Sequence, residues 1–208
     1  PQDAAKGYRH TIRQHAMPRC EAAGDRAVVD SELQWLIDGA PALADARTFA
    51  VRALDGGEFV LDLAWTLRAA HGAVTFHSDP VHYGWPFLRV HPQFTPAHGG
   101  KLVDDVGRSG QQATNEQYAN WVDYSHTIDG VTEGVAVFIP QDGAWRKWLT
   151  RDYGTFGPRR PDAQSGVRFT LAQGAQLAGS TRIFVHRGDA ASGNVAQRYR
   201  EYVKETRR

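Results

Sequence analysis

The chain is short of several things. Its 208 residues include one cysteine, Cys20, and one methionine. A lone thiol forms no internal disulfide and has no companion for a thiolate metal site, so a disulfide-stapled or zinc-ribbon scaffold is excluded. An excess of either charge is also missing: 24 Lys and Arg stand against 23 Asp and Glu, a formal net charge of +1. That balance argues against nucleic acid as a partner, which calls for a clustered basic excess. The longest wholly apolar run, Gly134–Ile139, falls far short of the roughly 18 to 20 residues a spanning helix needs, so no membrane span is expected. No Asn-x-Ser/Thr sequon occurs, and the opening Pro-Gln-Asp carries no leader-like segment; a processed or trimmed start is expected.

What is present is apolar and aromatic. Hydrophobic residues make up 41% of the chain, with 6 Trp, 7 Tyr and 9 Phe, enough to build a core. Leu33, Trp35 and Ile37 alternate with their neighbours, and so do Phe49, Val51 and Ala53. Asp55-Gly56-Gly57 then reads as a turn, followed by Phe59, Leu61, Leu63, Trp65 and Leu67 on one face of a strand. Further strand character lies at 121–124, 134–139, 145–151, 167–171 and 181–186. Near the end the period changes: Val195, Tyr199, Tyr202 and Val203 form the stripe of one amphipathic helix, with Asp189 or Ser192 as its cap. The expected fold is all-β, an antiparallel two-sheet β-sandwich with one C-terminal amphipathic helix, a barrel being the competing shape. No linker or repeat interrupts residues 1–208, so a single domain is expected.

Three segments carry candidate chemistry. Nine histidines occur in the chain, and His77, His82, His91 and His98 fall in one proline-punctuated stretch with Asp79, Tyr83, Trp85 and Arg89. Imidazole is a base, a proton shuttle and a common metal ligand, but no compact zinc spacing is present. The second segment, Asn120–His126, places Trp121, Asp123 and Ser125 on one strand face and Val122 and Tyr124 on the other. The third is Trp148–Pro158, where Arg151 and Asp152 precede a glycine-rich aromatic turn and Arg151 is a candidate fork for a carboxylate.

These segments, in order, resemble the soluble PmoA-like family, bacterial β-sandwich proteins without assigned activity. The resemblance runs through Gly7–His10, Glu32–Trp35, Ala46–Thr48, Leu61–Leu63, Val74–Phe76, Leu88–Val90, Trp121–Ser125, Gly134–Phe138, Arg151–Gly154 and Phe184–Asp189. The Trp-Val-Asp-Tyr-Ser block and the glycine-led strand after it are the most specific parts. The family name is borrowed from an integral membrane subunit of a methane oxygenase, so methane oxidation is not expected. The resemblance implies a carbohydrate-related role and a periplasmic or secreted location. Two loops depart from it, His82–Pro86 and Pro140–Ala144, and the family's earlier His-Arg-Gly-type stretch has no counterpart. The expectation is therefore a C-terminal fragment, or a sandwich completed by a second chain or the missing N-terminal segment.

The leading expectation is a carbohydrate-active enzyme acting on an oligo- or polysaccharide. Its catalytic candidates are His82, His91, Asp123 and Tyr124, and Tyr83, Trp85, Arg89, Trp121 and Arg151 are candidates for substrate binding. For hydrolysis, Asp123 requires a second carboxyl from Asp79, Glu116 or Glu133. A lyase instead draws its base from His82, His91 or Tyr124, with Arg89 or Arg151 holding the substrate carboxylate. The alternatives are a non-catalytic module stacking sugars on Trp85, Tyr83 and Trp121, and a metal enzyme built on the histidines. No cofactor is expected in the first two readings. The expectation that His82, His91, Asp123 and Arg151 share one cleft is the one a structure tests most directly.

Overall fold

The computed structural model describes residues 10–77 and 84–206. In chain order the strands are β1 His10–Ala23, β2 Arg26–Ile37, β3 Ala40–Ala53, β4 Phe59–Arg68, β5 Val74–Phe76, β6 Leu88–Arg89 and β7 Lys101–Asp104. A one-turn helix α1, Gly110–Thr114, precedes β8 Trp121–Ile128, β9 Val131–Phe138, β10 Trp148–Thr150, β11 Thr155–Pro158, β12 Phe169–Leu171 and β13 Gln176–Arg187. The amphipathic helix α2, Val195–Thr206, follows. Eight strands are hydrogen-bonded in the order β1-β2-β3-β4-β13-β9-β8-β7; β10-β11-β6 and β12-β5 form two small sheets. The expected all-β, β-sandwich-like fold with one C-terminal helix is what the chain adopts.

The chain groups into two compact units. One takes in the chain up to Val51, Asp62–His77 and Arg168–Ser180; the other takes in Arg52–Leu61, Ser78–Val167 and Thr181–Arg208. The sequence reads as one domain because this division is interleaved: β3, β4 and β13 each run from one unit into the other, so no linker marks a boundary.

In the first unit Leu43, Ala69 and Leu171 are buried against Trp35, Val74, Phe76, Phe169 and Leu177. A buried carboxylate sits among them, and Asp45 is satisfied by the Trp35 indole N–H at 2.8 Å and by Arg47 at 2.6 Å. A buried charge so paired avoids most of its desolvation cost. Strand β1 is exposed along almost its whole length. Without a buried face it carries no apolar alternation, so its sequence has no period-2 signal.

The second unit is organised by β8 and β9, which bury both faces. Trp121, Ala136, Phe138 and Phe184 lie under Val195, Tyr199 and Tyr202 of α2. Val122, Tyr124 and Val137 pack on the other side with Trp148 and Phe156. The helical stripe read from the sequence is the buried one. The cap expected from Asp189 or Ser192 is not made on α2. Instead the two bond each other, Asp189 N–H to Ser192 Oγ at 3.0 Å and Ser192 N–H to Asp189 Oδ1 at 3.1 Å. They close the turn before the helix, and Asn194, at φ 55°, immediately precedes it.

The Asp55-Gly56-Gly57 turn is present as a short 3-10 turn, with both glycines at positive φ, 71° and 82°. Glycine takes such angles without the Cβ penalty. In β4 the alternation holds only in part, because Val60 rather than Phe59 is buried in the second unit, while Leu67 is buried in the first.

Phe138 is fully buried, with its ring 5.6 Å from Tyr199, 6.0 Å from Tyr202 and 6.2 Å from Phe184. Phe138→Ala is expected to cost about 3–5 kcal/mol of stability. The urea midpoint of unfolding measures it.

Candidate functional site

Two polar arrangements in the second unit stand out, one sealed and one open. The sealed one belongs to Asp123. Strand alternation turns its side chain to the α2 side of β8, where His186 Nε2 lies 2.7 Å from its Oδ2 and neither side chain is exposed. Gly134, the glycine that leads the apolar end of β9, and Gly193, in the turn before α2, make room for the imidazole. A Cβ at Gly134 would come within 2.5 Å of His186 Cε1, and one at Gly193 closer still to Nδ1. Asp123 Oδ1 and Ser125 Oγ are buried beside it. The pair has no access to solvent, so it acts on the fold rather than on a ligand.

The electrostatics of the pair run in one direction. Burial holds the Asp123 carboxyl above its usual range, against the hydrogen bond and charge of His186. Burial also disfavours the charged imidazole, but the Asp123 hydrogen bond and charge outweigh it, and His186 is raised.

Tyr124 points the other way. It is fully buried and its hydroxyl donates to the Arg151 carbonyl at 2.6 Å, with burial pushing the phenol upward. It is locked as a structural donor. Arg89 pairs in register with Thr155; its Nε donates to Thr155 Oγ1 at 3.1 Å and its guanidinium lies 5.5 Å from the Tyr153 ring centre. Arg151 Nη1 donates to Asn115 Oδ1 at 2.7 Å. His91 is exposed and its Nδ1 accepts the Gln93 N–H, capping a 3-10 turn.

Arg89, His91, Tyr124 and Arg151 therefore gather around the 151–155 turn, but Asp123 and Trp121 are on the opposite face of β8, and Trp121 is core. The shared cleft expected for His91, Asp123 and Arg151 is not formed, because adjacent strand residues face opposite sides. Trp85 is half-buried, with the Arg160 guanidinium 6.0 Å from its ring centre. Of the second-carboxyl candidates, Glu116 pairs with Arg159 and Glu133 with Arg187. His82, Tyr83 and Asp79 lie outside the described residues. Among the described residues, no group of three or more His, Cys, Asp or Glu is arranged to hold a metal.

The open arrangement is a cleft of about 530 Å³, a volume that suits a small ligand. Its wall starts where β7 ends. Asp104 folds back on the chain, accepting the Val106 and Arg108 N–H groups at 3.2 and 3.0 Å and the Arg108 Nε at 2.6 Å. That turn presents Asp105, whose Oδ2 accepts Asn120 Nδ2–H at 2.6 Å. Asn120 is held in turn from α2, its Oδ1 accepting the Tyr199 hydroxyl at 3.2 Å. The Ile139 N–H reaches the Asn120 carbonyl at 3.1 Å and closes the floor.

The facing wall is the 140–146 loop. Asp142 accepts the Ala144 N–H at 3.0 Å and Arg146 Nη1 at 2.8 Å, fixing the loop upon itself. Trp145 stands out from it, 70% exposed, with its ring 5.4 Å from Tyr118 at an interplanar angle of 79°. Asp162 bonds both residues: its N–H donates to the Trp145 main-chain carbonyl at 2.9 Å and its carboxylate accepts the Tyr118 hydroxyl.

This cleft went unseen in the sequence reading as a site. The one signal for it is the Pro140–Ala144 departure from the PmoA-like pattern; the strand expected from Trp145 begins only at Trp148, which leaves Trp145 in the loop.

A model of the family of unknown function DUF6807 matches residues 3–200. The chain belongs to that family. No curated protein matches it. Among solved structures it is similar to the GH36 alpha-galactosidase AgaA of Geobacillus stearothermophilus in complex with raffinose, with 12% identity and a TM-score of 0.30 over 88% of this chain and 28% of that one. It is also similar to the alpha-galactosidase of Lactobacillus brevis, with 12% identity and a TM-score of 0.32 over 86% of this chain and 26% of that one. The chain thus spans less than a third of the length of the structures it matches.

Because both members of the Asp123–His186 pair are raised, folding takes up protons there. For His186 that contribution is complete below the unfolded histidine value of about 6.5 and is lost as pH rises through its raised folded value, whereas the raised Asp123 carboxyl begins to lose its own above the unfolded carboxylate value of about 3.9. The expected result is a urea midpoint that falls as pH rises above about 6.5, with most of that slope gone in His186→Gln. Matching slopes in the two proteins would show that another group titrates.

Proposed function

We propose that the chain recognises carbohydrate and that a sugar ring sits in the cleft between the Asp105 turn and the 140–146 loop. The observation that carries this reading is Trp145, an exposed indole fixed at right angles to Tyr118, with Asp105 and Asn120 in the same cleft. A large apolar ring in water costs free energy unless something covers it. A pyranose offers an apolar face to the ring and hydroxyls to the carboxyl and amide beside it. Part of the site is also preorganised: Asp162 holds the Tyr118 hydroxyl and the Trp145 backbone, and Tyr199 holds Asn120, which lowers the ordering cost of binding.

A second reading is turnover, glycoside hydrolysis or a lyase reaction. The observation in its favour is the Asp105 carboxyl, which burial raises as a proton donor requires. Hydrolysis by the common route uses two carboxyl groups about 5 to 9.5 Å apart. The cleft lining supplies Asp105 alone, so binding stands ahead of turnover. A PmoA-like relationship and a periplasmic or secreted setting belong to the same proposal.

Titration with a panel of oligosaccharides, followed by tryptophan fluorescence, tests the binding. Trp145→Ala is expected to weaken binding at least about tenfold, ~1.4 kcal/mol, with an unchanged melting temperature because the ring is exposed. Unaltered binding in that variant would place the sugar elsewhere. Release of reducing ends by the wild-type chain would favour turnover.

A further inference from the structure

The cleft proposed for carbohydrate carries an unbalanced charge. Two charged side chains line it, Asp105 and Arg146. Arg146 is already neutralised: both of its terminal nitrogens donate to the Asp142 carboxylate, and Nη1 also reaches the Ala144 carbonyl at 3.1 Å. Arg108, on the next turn of chain, is fully engaged as well. Its Nε is on Asp104 at 2.6 Å, its Nη1 on Gln117 at 3.3 Å and its Nη2 on the Tyr118 carbonyl at 2.5 Å. Lys147, outside the lining, lies 5.7 Å from the Tyr118 ring centre.

Asp105 has no such partner. Its Oδ2 receives a neutral amide N–H from Asn120, its Oδ1 is sealed from solvent, and among the described residues no cation bonds the carboxylate. Asp104 beside it is itself paired with Arg108. Burial is the main cause that raises the Asp105 carboxyl, opposed by the Asn120 hydrogen bonds and, more weakly, by Arg108. What the cleft lacks is a cation, and the indole of Trp145 is the side chain best suited to attract one.

We propose that the cleft selects a sugar with a free amine, a glucosamine-type unit whose ammonium pairs with Asp105 while its ring stacks on Trp145. This rests on the carbohydrate reading of the same cleft and adds the class of sugar. A neutral hydroxyl in the same place leaves the carboxylate uncompensated, whereas an ammonium supplies its counter-charge in a partly desolvated setting. The ammonium also favours the ionised form of Asp105, as the carboxylate favours the charged form of the amine.

The test uses the full chain and three tetramers: glucosamine, its N-acetylated counterpart and cellotetraose. At about pH 6, where an amine is charged, the glucosamine tetramer is expected to bind at least about tenfold tighter than either of the others. That margin shrinks as salt rises. Asp105→Asn should bring the three affinities together, and the wild-type comparison decides even if that variant does not fold. Equal affinities in the wild type, or tighter binding of the acetylated or neutral tetramer, overturn the amine proposal and leave the carbohydrate reading standing. Binding of none of the three overturns both.

Discussion

Eight consecutive antiparallel pairs join β8 to β9, from Trp121 opposite Phe138 to Ile128 opposite Val131, and the second unit depends on that register. It sends Trp121, Ala136 and Phe138 under α2 and Val122, Tyr124 and Val137 to the opposite side. A shift of one residue would turn each of these side chains to the wrong face. The same register aligns the strand ends, bringing Asn120 and Ile139 together as the floor of the cleft. Core and candidate site are thus set by one pairing.

The register also delivers Asp123 to His186. Burying an acid and a base costs desolvation, and a well-packed apolar pair in their place would often be as stable. What the ionic pair adds is a requirement: the imidazole fits only where Gly134 and Gly193 leave space, and Asp123 is compensated only when β13 lies in one position against β9. Its value is in specifying the arrangement. The Trp121–Ser125 and Phe184–Asp189 blocks, far apart in the chain, thus meet at this pair.

Much of the fold was legible beforehand. The double glycine after Asp55, the stripe along α2 and the strand character of β8 and β9 rest on neighbours within a few residues, and the chain adopts them. Strand β1 was not legible, since an exposed strand carries no apolar period. The candidate site was legible only in fragments. Asp123 is a catalytic candidate in the sequence, yet its partner is 63 residues away and both side chains are buried. Arg89, His91, Tyr124 and Arg151 do gather near one turn, but Tyr124 is locked in a hydrogen bond and His91 caps a turn. The cleft residues Asp105, Tyr118, Asn120 and Trp145 match no spacing rule, because the loops that bring them together are irregular.

The sequence by itself determined the all-β character, the terminal helix and the lack of a long apolar span, because these follow from composition and short-range periodicity. Tertiary structure decided which acid is sealed and which is open. Asp123 and Asp105 are chemically identical side chains 18 residues apart. One lies in the middle of a strand covered by a helix and finds a histidine. The other lies just past a strand end, beside two aromatic rings, with a neutral amide as its partner. Desolvation and charge pairing depend on what the rest of the chain places around a carboxyl, and no local pattern of residues encodes that.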